Sequence, residues 1–440
     1  MKTLAWTLIA AAGLAALGCN IGKYTVGGTL TGLTGQGLVL QNNAGNSLSF
    51  SSNGTFAFSD GIENGDSYSV TVSTQPSNPT QTCTVHNGSG TIDKAAVTNV
   101  IVSCVGVGQF AYVANQISNS LSAYSIDSTT GYLTAIAGSP FPSAGTTPAS
   151  LVVDPNGQYL YVADNGSNDV AVYAIDSTTG ALTSAGEPLA TGSGPDAVIV
   201  DPTDTYVYVA NMASSTVSAY TIGSGGLLTE LTGSPFAVGA GPTSLKIDPN
   251  DNFLYVTNFG DGSVTVMAID PATGSLGAIA GSPFGAGKGA LSIAINPTGT
   301  LAYVANETAA SISEYTINTS TGALTAVPGS PFATGSSPES LAADSAGLRI
   351  YAANVTAAND VATYAITPSS GVLTLSGSPV AAGTFPVDVV LDPSGQFAYV
   401  ANDNSNDISV YSVDVSTGAL TQVSHSPFTA GTEPRSIAID

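Results

Sequence analysis

Seven copies of a four-residue block, Tyr-[Val/Ala]-[Ala/Thr]-[Asn/Asp], recur along the chain and constrain its fold more than any other feature. The spacings between successive blocks are 49, 47, 47, 48, 48 and 48 residues. The blocks begin at Tyr112, Tyr161, Tyr208, Tyr255, Tyr303, Tyr351 and Tyr399. A repeat of about 40 to 50 residues, built from short alternating segments and turn residues, is typical of a propeller blade of four antiparallel strands. The sequence therefore predicts an all-β protein with seven blades.

Two further landmarks keep the same phase as the tyrosine blocks. A Thr-Gly-x-Leu turn begins at Thr130, Thr179, Thr273, Thr321 and Thr417. A Ser-Pro-Phe corner begins at Ser139, Ser234, Ser282, Ser330 and Ser426. Glycine and proline separate strands because turns need their backbone angles and proline cannot join the interior of a ladder. These landmarks predict where each strand of a blade begins and ends.

The two ends of the repeat array complement each other. The first repeat opens at Phe110 without an apolar strand before it, whereas the chain stops after the apolar segment of residues 436–439. Pairing of the last strand with the first blade would remove the exposed sheet edges of an open array. We therefore expect a closed ring of seven blades over residues 109–440.

The tyrosine blocks, Thr-Gly-x-Leu turns and Ser-Pro-Phe corners resemble those of the seven-bladed lactonase-like propellers, also called Tyr-Val-Thr-Asn repeat proteins. The resemblance covers about residues 108–440. It implies the propeller fold, and the family includes enzymes similar to 6-phosphogluconolactonase as well as surface proteins without known chemistry. Because the matching motifs belong to the scaffold, the resemblance assigns no catalytic residue to this chain.

The N-terminal segment has the pattern of an export signal. Lys2 precedes an apolar run over residues 4–17, which is short for a membrane span and typical of a signal peptide. The run ends at Leu14-Ala15-Ala16-Leu17-Gly18-Cys19, which resembles a bacterial lipoprotein cleavage site. We expect a signal peptide at 1–18, a lipid anchor on Cys19 with a tether at 19–22, and an outer-membrane lipoprotein. Simple cleavage near this site is the alternative.

A different pattern of short alternating segments fills residues 23–104. Seven such segments predict a small β-sandwich similar to immunoglobulin-like or transthyretin-like modules, at residues 24–30, 37–41, 47–50, 55–58, 68–72, 82–86 and 97–102. We expect Cys83 and Cys104 to form a disulfide, which would stabilise so small a domain by about 3 kcal/mol. Residues 105–108 are predicted to be a linker, and the propeller is predicted to follow at 109–440.

The charge balance limits the choice of partner. The chain has 30 acidic and 7 basic residues, for a net charge of −23. Nucleic acid is excluded because its binding requires clustered lysine and arginine. Most acids of the propeller have a structural explanation, since they stand at turns where aspartate accepts hydrogen bonds from backbone amides. The turn acids are Asp127, Asp154, Asp176, Asp201, Asp248, Asp270, Asp392 and Asp414.

Five residues depart from the repeat pattern and are the candidate ligand-binding residues. Ligands of propellers commonly bind over the central channel, where loops enter the innermost strands. In this part of the repeat most copies have Ser, Thr or a small apolar residue. Four charged residues stand there instead: Asp196, Glu339, Asp388 and Arg435. Lys246 is the fifth, because the equivalent positions of the other innermost strands are apolar. Ordinary loop charges and a lysine stem reaching solvent are the alternative interpretations.

The sequence lacks most groups that a phosphosugar lactonase needs. Such an enzyme must hold an anion and deliver water to an ester, yet the propeller has four cations and one histidine, His425. We therefore expect a non-catalytic, surface-anchored and monomeric binding module for an extracellular or periplasmic protein or glycan. A sugar lactonase and a surface-layer or adhesion component are the alternatives. No cofactor is expected; Ca²⁺ or Mg²⁺ on Asp196, Glu339 and Asp388 is the alternative.

Overall fold

The computed structural model describes residues 23–33, 36–76, 81–106, 110–356, 358–368 and 370–440. The predicted signal peptide and Cys19 lie outside these residues. Every strand predicted before the propeller is present. The strands of this region are Lys23–Tyr24, Val26–Thr31, Leu38–Asn42, Asn46–Phe50, Gly54–Ala57, Ile62–Glu63, Ser67–Thr74, Gln81–His86, Ser89–Thr91 and Val97–Gly106.

Eight of these ten strands form two four-stranded sheets around one apolar core, and Lys23–Tyr24 pairs with Ile62–Glu63. One sheet has the order Gly54–Ala57, Val26–Thr31, Val97–Gly106, Gln81–His86. The other has the order Asn46–Phe50, Leu38–Asn42, Ser67–Thr74, Ser89–Thr91. The core between the sheets includes the fully buried Leu30, Leu40 and Val102, since alternate residues of a half-buried strand face the same side.

The predicted disulfide between Cys83 and Cys104 is confirmed. The two residues lie directly opposite each other on antiparallel strands, and their Cα atoms are 3.9 Å apart. The second of these strands, Val97–Gly106, continues two residues into the predicted linker because it still pairs with Gln81–His86 there. The end of this strand therefore overlaps the first two residues of the predicted linker, 105–108.

Seven sheets follow over residues 110–440. Each sheet has an innermost, a second, a third and an outermost strand position. The innermost strands are Pro148–Val153, Pro195–Val200, Pro242–Ile247, Ala290–Ile295, Ser337–Ala343, Pro386–Leu391 and Pro434–Ile439. The second strands are Phe110–Asn115, Tyr159–Asp164, Tyr206–Asn211, Phe253–Asn258, Leu301–Asn306, Arg349–Val355 and Phe397–Asn402. The third strands are Ser120–Ile126, Asp169–Ile175, Thr216–Ile222, Ser263–Ile269, Ser311–Ile317, Asp360–Ile366 and Asp407–Val413.

The outermost position of each sheet is split into a three-residue and a two-residue strand, and both pair with the third strand. The three-residue strands are Leu133–Ala135, Leu182–Ser184, Leu228–Glu230, Leu276–Ala278, Leu324–Ala326, Leu373–Leu375 and Leu420–Gln422. The two-residue strands are Phe141–Pro142, Leu189–Ala190, Phe236–Ala237, Phe284–Gly285, Phe332–Ala333, Val380–Ala381 and Phe428–Thr429. A 3₁₀ turn spans Ser224–Gly226. No helix among the described residues is long and apolar enough to cross a bilayer.

The C-terminal strand belongs to the first blade. Pro434–Ile439 pairs in antiparallel register with Phe110–Asn115, and it also contacts Pro148–Val153 of the next blade. The side chain of Asp440 accepts a 2.8 Å hydrogen bond from the Phe110 amide. The two ends of the repeat array are thus joined within one sheet, as the sequence predicts.

In six of the seven repeats the tyrosine bonds to the glycine of the turn before the outermost strand of the next blade. Tyr112 is fully buried, and its hydroxyl donates to the carbonyl of Gly180 in the next blade, 3.0 Å away. The same bond recurs in five other blades, including Tyr399 with Gly131 of the first blade. Tyr351 is the exception, since its buried hydroxyl has no partner among the described residues. The period of the sequence therefore reflects one inter-blade hydrogen bond repeated around the array.

Candidate functional site at the channel mouth

Three of the candidate residues occupy a β-bulge at the entrance of an innermost strand. Asp196, Glu339 and Arg435 each follow the proline near the start of the strand, and the strand pairing shifts register at that residue. A bulge leaves its extra residue outside the regular ladder and changes the direction of its side chain. Side chains at this position are therefore free to serve the channel entrance instead of the sheet.

The structure brings four of the five candidates together. Asp196, Glu339, Asp388 and Arg435 line one cavity of about 170 Å³ at the end of the channel where the innermost strands begin. Although they come from four blades that are far apart in sequence, they converge because every innermost strand borders the same axis. Lys246 does not line this cavity and lies further along the channel.

Burial perturbs the carboxylates of this cavity. Glu339 is 9% exposed, and burial together with Glu307 and Asp403 raises its pKa to about 7, while Arg435 opposes the shift. Burial also raises the pKa of Asp196, again against the effect of Arg435. Near neutral pH, Glu339 is therefore divided between its protonated and charged forms, which is the state of an effective general acid or base.

The Arg435 guanidinium has electrostatic neighbours but no close ion-pair partner. In the described part of the chain a close ion pair joins Arg349 to Asp344, with 3.2 Å between nitrogen and oxygen, and Arg435 forms no such pair. The positive charge of Arg435 opposes the increases that burial causes in the pKa values of Asp196, Glu339 and Asp403. Its guanidinium does so without coming within 4 Å of a described carboxylate oxygen. Its five N–H donors are thus available to a ligand that enters the cavity.

Asp388 is held by the fold, unlike the three bulge residues. One carboxylate oxygen accepts from the Ser340 hydroxyl at 2.9 Å, and the other accepts from the Ile437 amide at 2.9 Å. Burial raises the pKa of Asp388, whereas these hydrogen bonds and Lys246 oppose the increase. Because both oxygens already bond to neighbouring blades, Asp388 is a wall residue of the site and not its most available ligand.

The bonds of Asp388 continue a pattern that serine forms in other blades. The residue at the position of Asp388 accepts a hydrogen bond from a backbone N–H in the innermost strand of the following blade. Four serines do so, with donors in parentheses: Ser150 (Val198), Ser292 (Leu341), Ser340 (Val389) and Ser436 (Leu151). Asp388 therefore substitutes for a structural serine, which explains part of its departure from the repeat.

Lys246 lies deeper in the channel. It lines a cavity of about 510 Å³ whose other walls are mostly aliphatic, and Asp388 contributes to the same wall. The side chain is accessible within the channel, yet the surrounding protein removes enough bulk water to lower its pKa, against the opposing charge of Asp388. The structure thus separates Lys246 from the four residues of the mouth while linking the two groups through Asp388.

Sequence reasoning missed an apolar rim around the same mouth. Met212, Phe259, Phe385 and Glu307 line a second cavity, of about 300 Å³, together with Asp196, Glu339 and Arg435. Three of these residues directly follow the Asn that ends a second strand: Met212, Phe259 and Glu307. A comparison of that position across all seven repeats would have revealed the variation.

The candidate metal ligands do not form a recognisable cation site. Across the described ranges between residues 23 and 440, no group of three or more His, Cys, Asp or Glu side chains is placed to hold a metal ion. The hydrogen bonds of Asp388 turn its oxygens toward Ser340 and Ile437. A Ca²⁺ or Mg²⁺ site on Asp196, Glu339 and Asp388 stays a prediction.

The family of proteins described as "Lactonase, 7-bladed beta-propeller" matches residues 69–196 and 191–437, which together exceed half of the chain. The chain belongs to this family. The match begins in the strand Ser67–Thr74 of the smaller region and extends through the channel-lining strands of all seven blades. No curated protein sequence is significantly similar to the chain.

Solved structures of other proteins resemble this lactonase-family propeller. A candidate 6-phosphogluconolactonase of Bacteroides uniformis has a TM-score of 0.67 at 20% identity, covering 76% of this chain and 100% of its own. A periplasmic gluconolactonase of Pseudomonas aeruginosa has a TM-score of 0.64 at 18% identity, covering 75% of this chain and 98% of its own. A Lactobacillus plantarum protein has a TM-score of 0.64 at 24% identity, covering 76% of this chain and 99% of its own. At these identities the likeness shows the fold.

Proposed function

We propose that this protein hydrolyses a lactone at the channel mouth formed by Asp196, Glu339 and Arg435. The observation that carries the proposal is the presence, in one cavity, of a buried carboxylate and a guanidinium without a close ion-pair partner. Membership of the lactonase propeller family supports the reaction class. In ester hydrolysis a general base can activate the attacking water, and a cationic donor can stabilise the oxyanion.

Each step has a residue of this cavity to perform it. Charged Glu339 takes a proton from a water molecule, whose oxygen forms a bond with the lactone carbonyl carbon. Arg435 stabilises the oxyanion that develops on the carbonyl oxygen. When the ring C–O bond breaks, the proton on Glu339 passes to the leaving alkoxide, so the product is a hydroxy acid. Asp196 contributes a second carboxylate that orients polar groups of the substrate.

The charges of the mouth favour an uncharged substrate. Asp196, Glu307 and Glu339 line the outer cavity together with one cation, Arg435. A phosphorylated lactone would bring its negative charge next to these carboxylates in a site where water screens poorly. Relatives are described as acting on 6-phosphogluconolactone or gluconolactone, and for this chain we propose a lactone without a phosphate.

We also propose an overall architecture and a cellular location for the protein. We treat the seven sheets as a closed ring, supported by the pairing of Pro434–Ile439 with Phe110–Asn115. The two sheets before the ring are proposed to be a β-sandwich spacer, supported by their shared core. Residues 1–19 support export and a lipid anchor on Cys19 by their sequence alone. Fatty-acid labelling of the protein and of a Cys19→Ser variant tests the anchor.

The experiment is lactone hydrolysis followed by pH-stat with purified residues 20–440. Uncharged aliphatic and sugar lactones are compared with 6-phosphogluconolactone, each with and without Ca²⁺ or Mg²⁺. The variants are Glu339→Gln, Asp196→Asn and Arg435→Met. Asp270→Asn is the matched control, because Asp270 is an exposed turn residue that accepts from backbone amides remote from the mouth.

We expect saturable turnover that Glu339→Gln abolishes and Asp270→Asn retains. Folded protein that turns over no lactone would overturn the proposal and favour the interaction-module hypothesis. Turnover that survives Glu339→Gln would place the chemistry elsewhere. A requirement for Ca²⁺ or Mg²⁺ would replace the general-base mechanism with a metal-assisted one.

A further inference from the structure

The outer cavity of the mouth has two chemically different sides. The acidic residues and Arg435 form its polar side, and Met212, Phe259 and Phe385 supply apolar surface. Met212 is 39% exposed, so its side chain is not fully packed into the core. Phe259 and Phe385 are each partly buried. A lactone ring at Glu339 would therefore have apolar side chains within reach of whatever substituent it carries.

Phe385 has a backbone conformation that its residue type disfavours. It has a φ of 62°, and a bulky residue in the left-handed region is strained. Three other blades have glycine at the residue that precedes the innermost strand, where positive φ carries no such cost: Gly194, Gly241 and Gly289. The repeat therefore tolerates glycine here, and the fold alone does not require a phenylalanine ring at this position.

Backbone hydrogen bonds hold the rim in place. The Phe259 amide donates to the Gly241 carbonyl at 2.8 Å, and the Met212 amide donates to the Gly194 carbonyl at 2.7 Å. The Phe385 amide donates to the side chain of Asn359 at 2.9 Å. Each apolar residue is thus tied to a second loop, which reduces the ordering cost of binding a ligand.

We infer that the substrate is a lactone with an alkyl or aryl substituent, which packs against Phe385, Phe259 and Met212 while its ring faces Glu339 and Arg435. This inference rests on the proposed function and adds the class of substrate. It distinguishes this protein from an enzyme for sugar lactones, whose hydroxyl groups would gain little from an apolar rim. Burial of each methylene group improves binding by about fourfold, so a hexyl chain in partial contact should add at least about tenfold.

The test compares γ-butyrolactone, γ-decalactone, which carries a hexyl chain on the same ring, and D-glucono-1,5-lactone. Binding is measured separately by calorimetry with 2-pyrrolidinone and 5-hexyl-2-pyrrolidinone, the corresponding lactams. Phe385→Gly removes the ring, and Thr147→Gly is its matched control. Thr147 precedes an innermost strand of another blade with a φ of 57°, so both changes relax the same backbone position.

We expect kcat/KM for γ-decalactone to exceed that for γ-butyrolactone by about tenfold or more, and Phe385→Gly to remove most of that difference while Thr147→Gly keeps it. Phe259→Ala and Met212→Ala should each reduce the preference, measured as the ratio of kcat/KM for γ-decalactone to kcat/KM for γ-butyrolactone. Ile117→Ala, in the corresponding loop of another blade and 58% exposed, should have no effect. These variants also keep the test decisive if Phe385→Gly does not fold.

The two proposals fail in different ways. Turnover of all three lactones without a preference for the hexyl chain, or with a preference for D-glucono-1,5-lactone, overturns this inference and leaves the lactonase proposal intact. If no lactone is turned over but 5-hexyl-2-pyrrolidinone binds about tenfold more tightly than 2-pyrrolidinone and Phe385→Gly abolishes the difference, the apolar recognition stands without the reaction. Equal binding of both lactams overturns it.

Discussion

The two ends of the central channel use acidic residues in opposite ways. Where the innermost strands end, Asp248 is buried, and one of its oxygens accepts from the Asn252 and Phe253 amides at 2.8 and 2.6 Å. Asp154 makes the same pair of bonds to Gln158 and Tyr159. Where the strands begin, Asp196 is partly buried and Glu339 is buried, and neither has such a turn to serve. Asp248 and Asp154, which repeat, serve the fold, whereas Asp196 and Glu339, which break the repeat, are available to a ligand.

Asp388 shows that a break in the repeat is not sufficient evidence of function. It replaces a serine, yet it makes the same inter-blade bond that the serine makes elsewhere. The position within the strand separates the two cases, because the bulge residue leaves the ladder and the next residue joins it. The following experiments challenge this distinction, beginning with the largest expected effect.

Glu339→Gln should lower kcat/KM for lactone hydrolysis by about a thousandfold, because it removes the general base. In the wild type, activity should rise with pH through about 7, since the raised pKa of Glu339 means that its charged form dominates only above that value. A pH-rate profile checks both statements. The change should not lower stability, and a large loss of stability would show that Glu339 serves the fold.

Arg435→Met should lower kcat/KM by about a hundredfold through loss of oxyanion stabilisation. Arg435 also holds down the pKa of Glu339, so its removal should raise that pKa and shift the pH-rate profile to higher pH. The residual activity of the variant, measured from pH 5 to 9, reveals the shift. An unchanged profile would mean that the two groups do not act in the same site.

Asp248→Ala should reduce the free energy of unfolding by about 3 kcal/mol, because the Asn252 amide and the buried Phe253 amide both lose their acceptor. Lactone turnover should remain within about twofold of the wild type. Denaturant unfolding and kinetics on the same sample check the pair of outcomes. Loss of activity with unchanged stability would reverse the assignment of the two channel ends.

Asp251→Asn should make stability less dependent on pH. Burial and neighbouring Asp201 raise the pKa of Asp251, so the folded state holds a proton that the unfolded state releases, and the free energy of unfolding falls as pH rises from about 4 to 8. Asparagine cannot ionise, and after solvent screening the variant should be more stable at pH 8 by about 1 kcal/mol. Denaturant unfolding at pH 5 and 8 measures the slope, and Asp270→Asn should leave it unchanged.

Asp388→Ser should have the smallest effect on stability, within about 0.5 kcal/mol, since serine forms the equivalent bond in other blades. Removing the carboxylate should lower the pKa of Lys246 further, because Asp388 opposes its decrease. NMR of ¹³C-methylated lysines follows that pKa directly, with exposed Lys288 as the internal reference. A change in stability above about 2 kcal/mol would show that the charge of Asp388 is structurally necessary.

Much of the fold was predictable because its determinants repeat. Tyr112 and Gly180 are linked by one hydrogen bond that recurs around the propeller, so the same residues return at each blade and expose the period. The disulfide was predictable because the lipoprotein pattern assigns Cys19 to an anchor, which leaves Cys83 and Cys104 as a pair on or beside predicted strands of one region. The candidate charges at the mouth were found as departures from that period.

The sequence by itself determined the number of blades, the order of their strands and the acids that turns consume, since each depends on residues close in the chain or on the same bond repeated. Tertiary structure alone decided that Asp196, Glu339 and Arg435 occupy bulges and line one cavity, that Asp388 bonds to the next blade, and that Phe385, Phe259 and Met212 meet them at the mouth. The physical reason is that these residues lie on different blades, and only the convergence of the strands on one axis brings them together.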